Sequence, residues 1–214
     1  MIREFTWSDF AFLIYSCQWT IWLSLVAFVG GGVLGLLVAL GRLSTNLAIR
    51  YFTISFIRII QGTPLLMQLF LAFFIPNIFG IQVSPWMAAS VGLSVNSSAF
   101  LGEIWRGCIQ NVPKGQWEAA AALGLGFTIK MRLVIIPQAI RIALPPTVGF
   151  LVQLIKGTSL AAIIGFTELT RAGQLLVNIT FSPLSVFSVV AACYFMLCWP
   201  LTVFSQRLEH RLER

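Results

Sequence analysis

The chain has 214 residues, of which 58% are hydrophobic and 10% are charged, and its formal net charge is +7. Globular domains that face water carry about 25% charged residues, so this composition excludes an ordinary soluble domain and indicates an integral membrane protein. The length suits one domain, because no linker rich in Gly, Ser or charge divides the chain and no internal repeat is visible.

Five apolar segments are long enough to cross a bilayer, which takes about 20 helical residues. They cover residues 18–40, 55–79, 86–107, 134–156 and 184–204. The apolar run that follows Met1–Phe10 is too long for a cleaved signal peptide, so we expect the first span to be retained. The sequence therefore predicts an all-α membrane protein with about five spans.

Positive charges are distributed unevenly between these spans. Eleven of the fourteen Lys and Arg residues lie in segments 41–58, 106–141 and 205–214. Because cytoplasmic loops carry an excess of Lys and Arg, we expect these segments in the cytoplasm, the N-terminus outside and the C-terminus inside. Orientation accounts for the net charge, and no nucleic-acid partner is needed to explain it.

The first two spans contain glycine and proline at informative positions. Gly31 and Gly35 are four residues apart, which predicts a close-packing face for another transmembrane helix and not a nucleotide site. In the second span, Gly62-Thr63-Pro64 combines a residue without a side chain with one that removes a backbone donor. Irregular backbone at membrane depth is tolerated where it lines a cavity, so Thr63 is a candidate pathway residue. The alternative is an ordinary proline kink.

The third span carries polar side chains, which are costly in a membrane and mark a pathway or a buried pair. Glu103 and Arg106 lie three residues apart, hence on one helical face. They either neutralise each other in a structural bridge or receive the ammonium and carboxylate groups of a zwitterion. Asn96 and Ser97 precede them by one to two turns. These two either bond to a neighbouring helix or line a pathway.

A short water-compatible segment, Glu118 to Gly124, follows the third span. We expect Glu118 in the first turn of a helix, where its charge suits the positive end of the dipole, and Gly124 at the end in the left-handed conformation. The alanines between them, which include Ala119 and Ala120, have no bulk, so the groove of a soluble partner could approach the backbone closely. The alternative is a generic alanine-rich helix.

Polar residues also follow the fourth span, at Lys156, Thr158 and Ser159. A lysine at this depth either reaches outward to water or meets an anion, so all three are pathway candidates. The next segment, Gly165 to Gly173, is too broken to cross the membrane. It is either an external gate or docking surface or a passive cap.

The sequence lacks the constellations that catalysis or metal binding needs. The single histidine, His210, lies in the charged C-terminal tail, and the four cysteines have no metal-ligand spacing. No phosphate-binding loop with Lys and Ser/Thr is present. We therefore predict no catalytic residue, no metal site and no cofactor in this chain.

Several of these segments, taken in order, resemble one family. Glu118-Ala119-Ala120, three residues, Gly124, nine residues, Val134, one residue and Ile136-Pro137 resemble the Glu-Ala-Ala loop of ABC importer permeases. Other segments resemble the polar amino acid branch of that family: 61–66, 96–107, 112–117, 137–146 and 156–160. Two positions depart from the family pattern, because Gln61 stands where arginine is frequent and Gly157 where an acidic or amide residue is frequent.

The resemblance implies a type I ABC importer transmembrane domain that forms the permease subunit for polar amino acids or opine-like compounds in the bacterial inner membrane. It implies four kinds of partner: a second permease subunit, the same chain or a similar one; ATP-binding ABC subunits that hold ATP and Mg; an external substrate-binding protein; and the amino-acid substrate. A helix of about residues 116–123 would couple the permease to the ATPase, through Glu118, Ala119, Ala120 and Gly124.

A different class of function is a self-sufficient channel or an ion-coupled secondary carrier for small polar solutes. Ion-coupled carriers typically depend on intramembrane carboxylates, and Glu103 is the only carboxylate clearly within a predicted span. The permease subunit is therefore the favoured prediction.

Overall fold

The structure is a computed structural model that describes residues 4–212, and this part of the chain is helical almost throughout. Its α-helices are α1 (Trp7–Leu43), α2 (Leu47–Gly62), α3 (Leu65–Ile78), α4 (Pro85–Gln110), α5 (Lys114–Ala122), α6 (Phe127–Lys130), α7 (Ile136–Gly157), α8 (Leu169–Thr180) and α9 (Pro183–Leu212). A π-helical turn, Met131–Ile135, joins α6 to α7, and a 3-10 turn, Thr158–Ala162, follows α7.

The first span begins earlier than the apolar pattern predicts. The α1 helix starts at Trp7 and not near residue 18, because Asp9 caps its N-terminus. The backbone N–H of Thr6 donates to Asp9 Oδ2 at 2.9 Å, and the Thr6 hydroxyl donates to the same oxygen at 2.8 Å. Such a capping arrangement satisfies donors that the first turn would leave free.

Glycines bring α1 and α4 into close contact. A Cβ built on Gly31 would lie 2.3 Å from Cβ of Ser97, and one on Gly35 would lie 3.1 Å from Cβ of Leu101. No larger residue fits at Gly31 without a shift of the helices, since real Cβ contacts are never this short. The structure confirms the predicted packing face.

The second predicted span is broken into two helices. The axes of α2 and α3 differ by 104° across Thr63 and Pro64. Pro64 has no N–H to continue the α2 ladder, and the Thr63 hydroxyl donates to the carbonyl of Ile59 at 2.9 Å. The interruption seen in the sequence is thus a sharp bend, larger than an ordinary proline kink.

Within the described residues, three helical segments are long and apolar enough to span a membrane: α1, Phe127–Ala162 and α9. The bent pair of α2 and α3 is a fourth if it counts as one span. The third predicted span coincides with α4, which is too polar to qualify by composition. Its small and polar residues, such as Ser90, Ser97 and Ser98, are buried against neighbouring helices, so α4 needs less apolar surface than a helix facing lipid.

The fourth span continues through two prolines. Pro145 and Pro146 lie inside α7, and Ser205 of α9 donates to the carbonyl of Pro145 at 2.8 Å. On the other side, Nε1 of Trp105 on α4 donates to Oγ1 of Thr147 at 3.0 Å. These bonds hold α7 between α4 and α9, which is how polar side chains of neighbouring helices tolerate proline in a span.

Candidate functional site

Two predicted pathway residues meet in an amide cluster, which consists of Thr63, Gln68 and Asn96. Gln68 of α3 is its centre: Nε2 donates to Oγ1 of Thr63 at 2.9 Å and to the carbonyl of Ile60 at 2.7 Å. Nδ2 of Asn96 donates to Oε1 of Gln68 at 3.0 Å. The cluster therefore connects the break between α2 and α3 to α4. Gln68 was not among the predicted site residues, although an amide within an apolar span is a signal for one.

The other predicted polar pair belongs to a charged cluster, which consists of Arg42, Glu103 and Arg106. Oε1 of Glu103 contacts the guanidinium of Arg106, and Oε2 lies 3.4 Å from Nε of Arg42. The spacing on α4 predicted the first contact. Arg42 comes from the last turn of α1, and its contribution was missed because a sequence pattern does not show which helices meet.

The contacts of Glu103 bear on its two predicted roles. Each of its oxygens already contacts a guanidinium group, so an ammonium group would have to compete with two arginines for this carboxylate. The structure therefore contains the ion bridge that the first alternative describes.

The remaining predicted pathway residues lie outside both clusters. Ser97 is fully buried against Gly31 of α1, but its hydroxyl has no hydrogen-bond partner among residues 4–212, so it packs closely without the predicted bond to a neighbouring helix. Thr158 is fully buried and donates to the carbonyl of Ile155 at 2.7 Å. Ser159 donates to the carbonyl of Lys156 at 2.7 Å, and Lys156 itself is exposed.

The predicted partner-binding helix corresponds to α5. It ends in a Schellman motif, in which Gly124 has φ of +70°. The N–H of Leu125 donates to the carbonyl of Ala120 at 3.1 Å, and the N–H of Gly124 donates to that of Ala121 at 2.9 Å. The prediction for Gly124 is confirmed.

The prediction that Glu118 lies in the first turn of this helix is wrong. Pro113 occupies the N-cap position with φ of −52° and ψ of 135°, so the helix starts at Lys114, and no acidic residue lies in its first turn. Glu118 falls one turn later, where the helix dipole has less effect on its charge.

One face of α5 is exposed, and the opposite face packs against neighbouring segments. Glu118 and Ala119 are exposed, whereas Ala120 is only 2% exposed. Behind the helix, Trp117 packs in an apolar cluster with Val112 of the preceding loop and Ile135 of the π turn. The α5 helix is therefore packed directly against the π turn from which α7 continues.

A buried carboxylate in the segment before α8 was not identified from the sequence. Glu168 is fully buried, and its Oε1 accepts from the backbone N–H of Arg171 at 2.9 Å, so it caps α8. Oγ1 of Thr20 on α1 lies 3.4 Å from Oε2 and accepts from the N–H of Leu169 at 3.2 Å. Polar residues in a broken segment resemble an exposed loop, which is why no pattern predicted burial.

Comparison with known proteins places these features in one family. Residues 31–214 match the family described as "Binding-protein-dependent transport system inner membrane component". The probable amino-acid ABC transporter permease protein YckA of Bacillus subtilis is 38% identical over 203 residues, which cover 95% of this chain and 90% of YckA. The glutamine transport system permease protein GlnP of Escherichia coli is 36% identical, with 97% and 95% covered. The L-cystine transport system permease protein TcyB of B. subtilis is 34% identical, with 100% and 91% covered.

Solved structures show the same fold. A crystal structure of an amino acid ABC transporter with histidines superimposes with a TM-score of 0.90 at 34% identity and covers 94% of each chain. An inward-facing structure of the MetNI methionine ABC transporter has a TM-score of 0.82 at 20% identity, with 98% of this chain and 100% of that chain covered.

Proposed function

Because the chain belongs to the binding-protein-dependent transport system inner membrane components and is the membrane-spanning permease subunit of an ABC importer, we propose that it carries polar amino acids or opine-like compounds across the bacterial inner (plasma) membrane. The observation that carries this proposal is whole-length similarity to permeases named for amino acids, among them glutamine and L-cystine. A self-sufficient channel or ion-coupled carrier is disfavoured, because these relatives are subunits of ABC transporters.

The partners follow from this role. A second permease subunit completes the pathway, since one chain offers few helices to enclose one. Two ATP-binding ABC subunits hold ATP and Mg and supply hydrolysis, and an external substrate-binding protein delivers the amino acid. This chain is a single transmembrane permease domain that holds no cofactor of its own and converts the movement of its partners into access.

Coupling to the ATPase is assigned to α5. Its exposed face, with Glu118 and Ala119, docks in a groove of the ATP-binding subunit, and Gly124 sets the direction in which the chain leaves that groove. The anchored face, with Trp117 and Ala120, transfers movement to the π turn and α7. The combination of an exposed face and a packed face on one short helix supports this assignment.

The amide cluster and the charged cluster are proposed to border the substrate pathway. Thr63 and Asn96 supply hydroxyl and amide groups, and Glu103 and Arg106 supply charge. Lys156, in the last turn of α7, and Ser159, in the 3-10 turn after it, contribute at the other mouth, whereas buried Thr158 supports the backbone there.

Reconstitution tests the proposed function. The purified chain in proteoliposomes should not hydrolyse ATP, and addition of its cognate ATP-binding subunit, second permease subunit and binding protein should give ATP-dependent uptake of radiolabelled glutamine, glutamate or histidine. ATP turnover by this polypeptide alone, or amino-acid uptake driven by an ion gradient without ATP, would overturn the proposal.

A further inference from the structure

A small cavity lies where α2 meets the ends of α1 and α4. Its volume is about 240 Å³, and two arginines, a carboxylate, an amide and two isoleucines line it: Arg42, Ile54, Ile57, Arg58, Gln61 and Glu103. The cavity thus adjoins the charged cluster and is separate from the amide cluster.

The charges around this cavity do not balance. Glu103 faces both Arg42 and Arg106, so one carboxylate opposes two guanidinium groups. Nε of Arg106 is buried and has no hydrogen-bond partner among residues 4–212. Arg58 adds a further positive charge. Surplus positive charge in a partly buried site is disfavoured without a counter-charge, so the cavity is electrostatically suited to an anion.

Arg58 is the arginine that remains available to a ligand. The side chains of Arg42 and Arg106 are 17% and 18% exposed, and both are engaged with Glu103. Arg58 is exposed, and no other residue between 4 and 212 forms a hydrogen bond or ion pair with its side chain. Its guanidinium can therefore bind a carboxylate without first breaking an internal bond.

Polar side chains adjoin Arg58 on α2, and one of them, Gln61, donates through Nε2 to the carbonyl of Ala99 at 3.4 Å. Ser55, Arg58 and Gln61 follow one another at intervals of three, hence on one face, and all three are exposed. The buried residues of α2 are Thr53 and Ile57. In a membrane protein, an exposed polar face of this kind lines water or a polar pathway and not lipid.

We propose that Arg58 binds the carboxylate of the transported amino acid at the α2 side of the pathway. This inference rests on the proposed function and names a contact within it. A guanidinium offers a planar pair of donors that matches a carboxylate in a bidentate contact. The charged cluster keeps Glu103 occupied by arginines, so it does not repel the substrate carboxylate as a free acid would.

The experiment compares substitutions of Arg58 with a matched control on the same helix. Arg50 is also an exposed arginine of α2, and it does not line the cavity. The complete complex with R58Q, R58K or R50Q is reconstituted in proteoliposomes with the binding protein saturated by the amino acid that the wild type imports. Uptake and ATP hydrolysis are measured in parallel. A lost charge-assisted bond should lower uptake by R58Q about tenfold, with fewer molecules imported per ATP hydrolysed.

The controls define each outcome. R50Q should match the wild type, and R58K should retain more uptake than R58Q because it keeps the charge. Equal uptake by R58Q and R50Q would overturn the inference. So would a defect of R58Q that disappears in vesicles without acidic phospholipid, because Arg58 would then bind a lipid headgroup. If the wild type imports no amino acid, the proposed function fails, and that result is distinct from a failure at Arg58.

Discussion

The hydroxyl of Tyr194 on α9 donates a hydrogen bond of 2.8 Å to Oε2 of Glu168, a carboxylate that is fully buried just before α8. The same carboxylate caps α8 and lies within reach of Thr20 on α1. One side chain therefore ties three helices together. A buried carboxylate without partners costs several kcal/mol, so these bonds must be kept for the helices to stay in place.

Loss of the Tyr194 hydroxyl should destabilise the fold. In Y194F, Oε2 of Glu168 keeps only the longer contact with Thr20, and an unsatisfied buried group costs about 1–3 kcal/mol. The thermal midpoint of the purified complex in detergent should fall. The matched control is Y15F, because Tyr15 is 62% exposed. An equal midpoint for Y194F and Y15F would contradict the role of this bond.

Stability should also depend on the protonation of Glu168. Burial raises the pKa of this carboxyl, although hydrogen bonds from the backbone of Thr170 and Arg171 and from the Tyr194 hydroxyl oppose the rise. Because the folded-state pKa is raised, the stabilisation is present below the unfolded pKa of about 4.3 and is lost as the pH rises through the folded value. Among residues 4–212, Cys17 and Tyr194 also interact electrostatically with this carboxyl.

The measurement is the thermal midpoint of wild type and E168Q from acidic to neutral pH. The wild type should lose stability relative to E168Q as the pH rises, since the amide does not ionise. Parallel curves for the two proteins would show that Glu168 does not titrate in this range.

Close contact of α1 and α4 predicts a contrast between neighbouring glycines. A Cβ at Gly31 would meet Ser97 at 2.3 Å, whereas the nearest atom to a Cβ at Gly32 is a Trp105 ring carbon at 3.7 Å. Overpacking of this kind costs about 1–3 kcal/mol, so G31A should lower the midpoint and G32A should not. Equal midpoints for G31A and G32A would contradict the close contact of α1 and α4 at Gly31.

The end of α5 predicts a second contrast, in transport. Gly124 has φ of +70°, and apart from its chain neighbours no residue of the described range 4–212 lies within 4 Å of a Cβ built there, so G124A meets backbone strain of about 1–2 kcal/mol and no steric clash. G126A is the control, because the φ of Gly126 is −59°.

A bulky charged residue at Gly124, or E118K, should abolish uptake and ATPase binding without loss of membrane insertion. Survival of transport in both would remove the coupling role of α5.

The charges along the proposed pathway predict a preference among substrates. Arg106, Lys156 and Arg58 outnumber Glu103, so a cationic substrate would meet few fixed negative charges. A substrate charge without a partner within the membrane costs a few kcal/mol. Glutamate and glutamine should therefore be imported in preference to arginine by the reconstituted complex. A clear preference for arginine that is lost in E103Q would refute this charge argument and leave the assignment as a permease standing.

The sequence predicted features that depend on local pattern. Hydrophobic runs located the helices, the pair Gly31 and Gly35 located a packing face, and Gly124 ended a helix in the left-handed conformation. Each of these rests on a few neighbouring residues. The start of α5 was misplaced because Pro113 could serve either as a loop residue or as a cap.

Features that depend on distant contacts could not be predicted in the same way. The bond of Thr20 to Glu168 joins residues 148 positions apart, and that of Arg42 to Glu103 joins residues 61 apart. Whether such residues meet depends on how the helices cross, which hydropathy does not encode. The angle between α2 and α3 is likewise invisible, since Pro64 indicates a bend and not its size.

At the bend between α2 and α3, a side chain replaces the backbone as a hydrogen-bond donor. The carbonyl of Ile60, near the end of α2, receives the side-chain amide of Gln68 from the next helix. A side-chain donor rotates about its χ angles on a scale of nanoseconds when it is accessible, whereas a backbone donor moves only if the helix unwinds. The two helices of this span are thus joined by side-chain bonds of Gln68, which can break and re-form without unwinding either helix.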